Sequence, residues 1–254
     1  MKTISRRHIT LAAFVLATST LFYGTANAEQ DAQAILESSD ISRGGGSDTG
    51  LTWEVLTSAS GTNSEELTDQ RLRVKASRTS SLAEVLEPTS SKGSKMLQVE
   101  RSMWISKPGL KKPVAISARQ RLSGQAAVGD VAATNYAKDY TPRYLQEEKV
   151  GDESCHVLEL TSKNNQTTYD KITYWVSIPR GVAIKADFLS LSGKKLKSAD
   201  FEYKNVVKVA GKTIPFVSQM VISDALTDAK TTLTFQRVSA KGITSSDFDV
   251  ANLQ

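Results

Sequence analysis

The sequence predicts a mainly β, α+β domain: a long antiparallel meander curved into an incomplete barrel with one or two short helices in its mouth. Three observations predict it. Apolar and polar residues alternate with period two in run after run, glycine-centred turns separate the runs, and only two short stretches have helical composition. A sheet that is apolar on one face has to cover that face. Two short helices are too few for a second layer, so the sheet is expected to wrap, and a barrel of this kind can enclose an apolar cavity.

The first element is not part of the fold. Lys2, Arg6 and Arg7 precede an uncharged apolar stretch at 9–22, which ends in the small-x-small pattern Ala26-Asn27-Ala28. The expected division is a signal peptide at 1–28 and one domain at 29–254. The apolar stretch is shorter than the ~20 residues of a membrane-spanning helix, and no such run recurs. Ser5-Arg6-Arg7 resembles a twin-arginine motif, so both that route and the general secretory route stay open. Glu29, not a lipid-bearing cysteine, follows the expected cleavage point. The expectation is a periplasmic chain that is not membrane-integral.

Removing the signal also changes the charge argument. The chain has 32 Lys+Arg against 27 Asp+Glu, and without Lys2, Arg6 and Arg7 the balance falls from +5 to +2. A pI near 9.2 therefore does not point to nucleic acid. Lys107 to Lys112, broken by Pro108 and Pro113, and Lys194-Lys195-Lys197 read as solvated turns.

Along the domain, residues 31–39 suit a short amphipathic helix, with Ile35, Leu36 and Ile41 at near-helical spacing and the Gly44-Gly45-Gly46 loop after it. Leu72, Val74 and Ala76 alternate with Arg71, Arg73 and Lys75, as in a half-buried strand. Residues 96–106, 114–118, 155–161, 169–178 and 182–191 behave similarly. Ser192-Gly193-Lys194 joins the last of these to a strand at 195–203, and Ala210-Gly211-Lys212 leads into one at 214–222. A final strand is expected at 231–238. The alanine-rich stretch 123–136 reads as the second helical segment.

Most catalytic chemistry lacks its residues. Cys155 is the only cysteine, so no internal disulfide can form, and His156 is the only histidine left once His8 departs with the signal. As neighbours in a strand they point to opposite faces and cannot act as nucleophile and base. Cys155 reads as a buried small hydrophobe and His156 as a surface residue. One His and one Cys are too few for a metal centre, so no metal or cofactor is expected. The glycine-rich run 44–50 lacks the Gly-Lys-Ser/Thr ending of a phosphate loop. Glu147-Glu148 and Asp152-Glu153, around Gly151, read as solvated turn charges. Trp53, Trp104, Trp175, Phe188, Phe201, Tyr203, Phe216 and Phe235 read as core.

From Lys95 to Tyr144 the sequence is more distinctive. It runs Lys95-Met96-Leu97, then Met103-Trp104-Ile105-Ser106-Lys107-Pro108-Gly109-Leu110-Lys111-Lys112-Pro113, then Arg121-Leu122-Ser123-Gly124. This resembles the outer membrane lipoprotein-sorting protein family, the LolA-like periplasmic lipoprotein carriers, with their aromatic strand, basic turn and Arg-x-x-Gly segment. Asp152 to Leu160, Ile172-Thr173-Tyr174-Trp175-Val176, Lys185-Ala186-Asp187-Phe188 and Leu196 to Tyr203 resemble the strands that follow. At Gly124 to Asp130 the chain departs from the Gly-Ser-Asp-Phe-like stretch of many relatives.

The resemblance implies a LolA-like unclosed barrel with an apolar cavity for lipid chains. The expected function is a carrier without enzymatic activity, and the expected state is a monomer. It would bind the acyl chains of a lipoprotein or other lipid and pass them between membrane-associated partners, one of them an inner-membrane ABC- or RND-type exporter. Two other readings stay open: an exporter-docking subunit without cargo, and a cofactor-free enzyme on the same scaffold. Strand alternation assigns Ile172, Tyr174, Val176, Ile184, Phe188, Phe201 and Tyr203 to the cavity lining. Trp104 has no assigned side, because Met103 and Ile105 compete for the same one.

Overall fold

The computed structural model of the chain describes residues 24–45, 50–62, 68–132, 135–240 and 243–253. Residues 1–23 of the expected signal peptide (1–28) and residues 46–49 of the glycine-rich run lie outside the described residues. Helix α1 (Gly24–Ile41) contains the expected 31–39 helix and runs back across the expected cleavage point. Its Ala32 and Leu36, one turn apart, are fully buried on one face. The helix ends at Ile41 and the turn after it closes at Gly44, whose φ of +87° is easily adopted only without a side chain. Gly45 N–H then reaches back to Asp40 O at 2.9 Å. A Cβ on Gly44 would also lie 2.7 Å from the Trp53 ring, so the chain passes this aromatic with backbone alone.

One flank of the main sheet is β1 (Leu51–Ser60), β2 (Gln70–Ala76), β3 (Ser80–Glu87), β4 (Lys95–Val99), β5 (Ser102–Ser106) and β6 (Val114–Ile116). A crossing segment follows, with β7 (Arg121–Ser123), β8 (Ala126–Ala127), α2 (Val128–Val131) and α3 (Tyr136–Asp139). The second flank holds β9 (Tyr140–Val150), β10 (Glu153–Ser162), β11 (Lys171–Ser177), β12 (Ala183–Leu189) and β13 (Lys195–Glu202). A separate ribbon, β14 (Asn205–Val209) and β15 (Lys212–Phe216), precedes β16 (Gln219–Asp224) and β17 (Lys230–Ala240). The 13-stranded sheet has the order β6-β5-β4-β3-β2-β1-β17-β16-β13-β12-β11-β10-β9, antiparallel throughout. It is open, with β6 and β9 as its edges, as an incomplete barrel requires.

The inner face carries the core. Leu72, Val74 and Ala76 point inward as their alternation predicts, against Trp53 and Val55 of β1, while Arg71, Arg73 and Lys75 face outward. Four expectations need correction. The run 96–106 is a hairpin, not one strand, because Glu100 takes a positive φ of 54° and turns β4 into β5. The run 214–222 breaks at Val217-Ser218, where Val217 N–H bonds to Ser42 O at 2.9 Å instead of to a strand. The described part of 123–136 is mostly not helical: it holds the end of β7, β8, the four-residue α2 and only the first residue of α3. Glu147 and Glu148 are strand residues in β9, opposite His156 and Cys155, and only Gly151-Asp152 make the turn. Strands β3 and β9 were not expected at all.

Trp104 is settled by register. It pairs with Leu97 on the outer face, while Met103 and Ile105 share the inner core. The C-terminal turns at Ser245–Phe248 and Val250–Asn252 lie over this outer patch, tied by Lys75 Nζ to Asp247 Oδ1 at 2.6 Å.

Candidate ligand-binding interior and its opening

The sheet brings six of the seven expected lining residues together. Ile172, Tyr174 and Val176 of β11, Phe188 of β12 and Phe201 of β13 are buried in the inner core, and Tyr203 packs against it. Ile184 does not join them. The β11–β12 register slips between Trp175 and Val176, so Ala183 takes the inner place and Ile184 turns outward. There it packs with Cys155, Val157 and Trp175 in a small cluster behind the sheet. A bulge of this kind leaves no mark on the alternation of the sequence.

The same cluster separates Cys155 from His156. The thiol is buried on the outer side, whereas His156 lies on the other face beside the Tyr144 ring and 3.9 Å from Glu147. The imidazole is half-buried, less exposed than a surface residue would be. Burial pushes the Cys155 thiol up, away from thiolate chemistry.

The inner face is filled. Leu36 of α1, the stacked rings of Tyr169 and Phe188, and the Trp53–Phe216 pair occupy it. At the opening, between β4–β5 on one side and α3 and the 163–170 loop on the other, the cleft has room for only about 40 Å³, roughly one water. A larger groove of about 620 Å³ runs outside it, between Trp104 and Ile116 on β5–β6 and Gln166 of the opposite loop. That volume is within the ~300–1,000 Å³ of small-ligand sites.

The interior also has polar residues that sequence reasoning missed. Arg43 is buried, with its guanidinium over the Phe201 ring at 4.5 Å and the Tyr136 ring at 5.2 Å, and donates to Tyr174 Oη at 3.2 Å. Asp40, one turn earlier, accepts from Ala137 N–H at 2.8 Å, while its other oxygen has no partner. Burial raises the Asp40 carboxyl to about 7, against the lowering effects of that hydrogen bond and of Arg43. Asp130 is raised by burial as well, although it accepts from Ala127 N–H at 2.8 Å and from Tyr169 Oη at 2.9 Å. A charged pair after an amphipathic helix reads as solvent-facing, so no local signal marked these residues as internal.

Helix α3 sits at the opening, seated through Tyr136, whose ring packs edge-on to Tyr140 and Tyr174, and through buried Ala137, with polar contacts around them. Arg101 of the β4–β5 turn meets Asp139 at 3.5 Å, Asn135 donates to Arg78 O at 2.9 Å, and Lys163 donates to Ala137 O at 3.2 Å. Among the described residues no cluster of His, Cys, Asp and Glu is arranged to hold a metal, and no helix is long and apolar enough to cross a membrane.

Comparison with known proteins follows the fold. A family model described only as an uncharacterized protein matches residues 77–254. A LolA superfamily protein from Nitrosomonas europaea superposes with TM-score 0.75 at 30% identity, over 86% of this chain and 97% of that one. A DUF1329 family protein from Desulfovibrio piger gives TM-score 0.74 at 17% identity, over 89% and 99%. A putative outer membrane lipoprotein-sorting protein domain from Vibrio parahaemolyticus gives 0.72 at 20% identity, over 89% and 99%. Among curated proteins no relative is found.

Proposed function

Because the chain belongs to the LolA superfamily, we propose that it is a periplasmic carrier, exported by cleavage after Ala28, whose inner face receives the acyl chains of a lipoprotein or another lipid. The observation that carries this reading is the cover of the inner face. A 13-stranded apolar concavity is closed at its opening by a single four-residue helix, seated through Tyr136 and Ala137 and ringed by polar contacts, not by a second packed layer. Lifting it breaks exposed hydrogen bonds worth about 0.5–1.5 kcal/mol each and uncovers Tyr136 and Ala137, a cost the cargo has to offset. An entering chain regains about 0.8 kcal/mol for every methylene it removes from water. Displacing α3, and with it α1, converts the filled state into a lined cavity. Ile172, Tyr174, Val176, Phe188, Phe201 and Tyr203 would form its wall; Ile184 would not.

The chain acts on cargo by binding alone in this reading, supported by the separation of Cys155 from His156 on opposite faces. Cargo arrives from an inner-membrane exporter of the ABC or RND type and leaves to a membrane-associated acceptor. The filled interior favours one alternative, a subunit that docks on such an exporter and carries nothing. A hydrophobic dye, bis-ANS, separates the two. The carrier binds it in the folded state and releases it to acylated peptide or phospholipid. A cooperatively folded protein with no lipid-competable dye site overturns the carrier reading and leaves the docking subunit.

A further inference from the structure

The β12–β13 and β16–β17 hairpins end side by side, because β13 pairs with β16 through Lys197 and Asp224. Their tips hold the two most exposed large apolar side chains of the described residues, Leu191 at 73% and Leu226 at 78%. Leu196, 41% exposed, lies between them, with Ala225 N–H bonded to its carbonyl at 3.1 Å. Single exposed leucines are ordinary, but three on adjoining turns, where glycine, serine and aspartate suffice for the geometry, form a patch.

The charge around the patch has one sign left over. Asp170 is taken by Arg119 at 2.6 Å and by Leu191 N–H, and Asp187 by Lys195 at 2.8 Å, while Asp224 and Asp228 stay charged on neutral donors and are offset by nearby Lys197 and Lys230. Lys171, Lys194 and Arg121 form no ion pair with a described residue. The patch also adjoins the opening. Arg119, which holds Asp170 beneath Leu191, donates to Thr167 O at 2.8 Å, and Thr167 lines the cleft beside α3.

We infer that these two hairpin tips dock the protein on an anionic lipid bilayer, with Leu191 and Leu226 entering the headgroup–acyl boundary and the lysines meeting lipid phosphates. Apolar tips with basic flanks match the two attractions such a surface offers, burial of apolar area and a negative surface potential. Docked in this way, the opening between α3 and the 163–170 loop stands next to the lipid. The surface does not depend on the acyl-chain reading, since a docking subunit could use it equally.

The test is co-sedimentation of the mature chain with vesicles of equal parts phosphatidylethanolamine and phosphatidylglycerol, against phosphatidylcholine alone. Binding is expected to the anionic vesicles and to fall with added salt. Leu191→Asp with Leu226→Asp should weaken it tenfold or more, and Lys194→Glu by about fivefold. Thermal unfolding and lipid-competable bis-ANS binding should remain unchanged in these exposed variants, which separates failure of docking from failure of cargo binding. Leu110→Asp, on the β5–β6 connection between other lysines, should have no effect. The inference is overturned if wild type ignores anionic vesicles, if the tip variants bind as wild type, or if Leu110→Asp alone abolishes binding. A wild-type dimer that the tip variants dissociate, without vesicle binding, overturns it in favour of a second copy.

Discussion

Asp40→Asn should make the protein more stable at pH 8 and remove one component of its pH dependence. The carboxyl is buried against the backbone of α3, accepts one hydrogen bond, and has an oxygen without a partner. Its pKa rises from 3.8 to about 7 on folding. The folded state therefore holds a proton that the unfolded state has released, between pH 4 and 7. Stability from this group is fully present below about pH 4 and lost as pH rises through 7. A displacement of that size corresponds to about 4 kcal/mol at pH 8. Asparagine keeps the acceptor for Ala137 N–H and carries no charge to desolvate. Urea unfolding of both proteins at steps from pH 5 to 8 measures the effect, and the difference between them cancels the slopes of Asp130 and of the exposed acids. The stability advantage of the variant should grow with pH and level off above 7. A difference that is flat in pH, or a variant less stable at pH 8, would refute the reasoning and mean that Arg43 holds Asp40 ionised.

Three further outcomes follow from the packing. Phe188→Ala, which removes a buried ring stacked on Tyr169, should cost about 3–5 kcal/mol in urea unfolding and reduce bis-ANS binding, whereas Ile184→Ala should cost less and leave the dye site intact, since Ile184 faces outward. Equal loss of dye in both would place Ile184 inside. Cys155→Ala should cost on the order of 1 kcal/mol and leave dye and vesicle binding unchanged; loss of either in a folded variant would reopen a chemical role for the thiol. Arg101→Ala with Asn135→Ala should cost about 1–2 kcal/mol and speed amide exchange across 136–139 while raising the rate of dye uptake, and an unchanged rate would mean that α3 does not gate entry.

The alternation of Leu72, Val74 and Ala76, and of Ile172, Tyr174 and Val176, was sufficient to orient β2 and β11, because a two-residue period survives in sequence wherever one face is buried. It failed where geometry departs from that period. The slip beside Val176 moved Ile184 to the other face, and the left-handed Glu100 split one run into two strands; neither has a side-chain signature. Strand β9 was not legible because it is an edge: most of its side chains are exposed, and Arg143, Gln146, Glu147, Glu148 and Lys149 hide the pattern. The polar interior was illegible for a different reason. Arg43 and Asp40 are buried by strands far away in sequence, and their charges are the very feature that argues for solvent. The crossing segment 121–139 had alanines at helical density, but tertiary contacts such as Gln125 N–H to Thr231 Oγ1 at 2.7 Å hold much of it extended.

The pairing of β1 with β17 at the centre of the sheet has a consequence for synthesis. Leu51 lies opposite Ala240, so the strand that joins the two flanks is made after every other strand of the sheet. Until it arrives, β1 and β16 are each an unpaired edge, and neither flank can complete the common core. Contacts this distant in sequence close slowly, because the loop entropy is lost before the pairing compensates it. A nascent chain of this topology cannot complete its core before β17 has emerged.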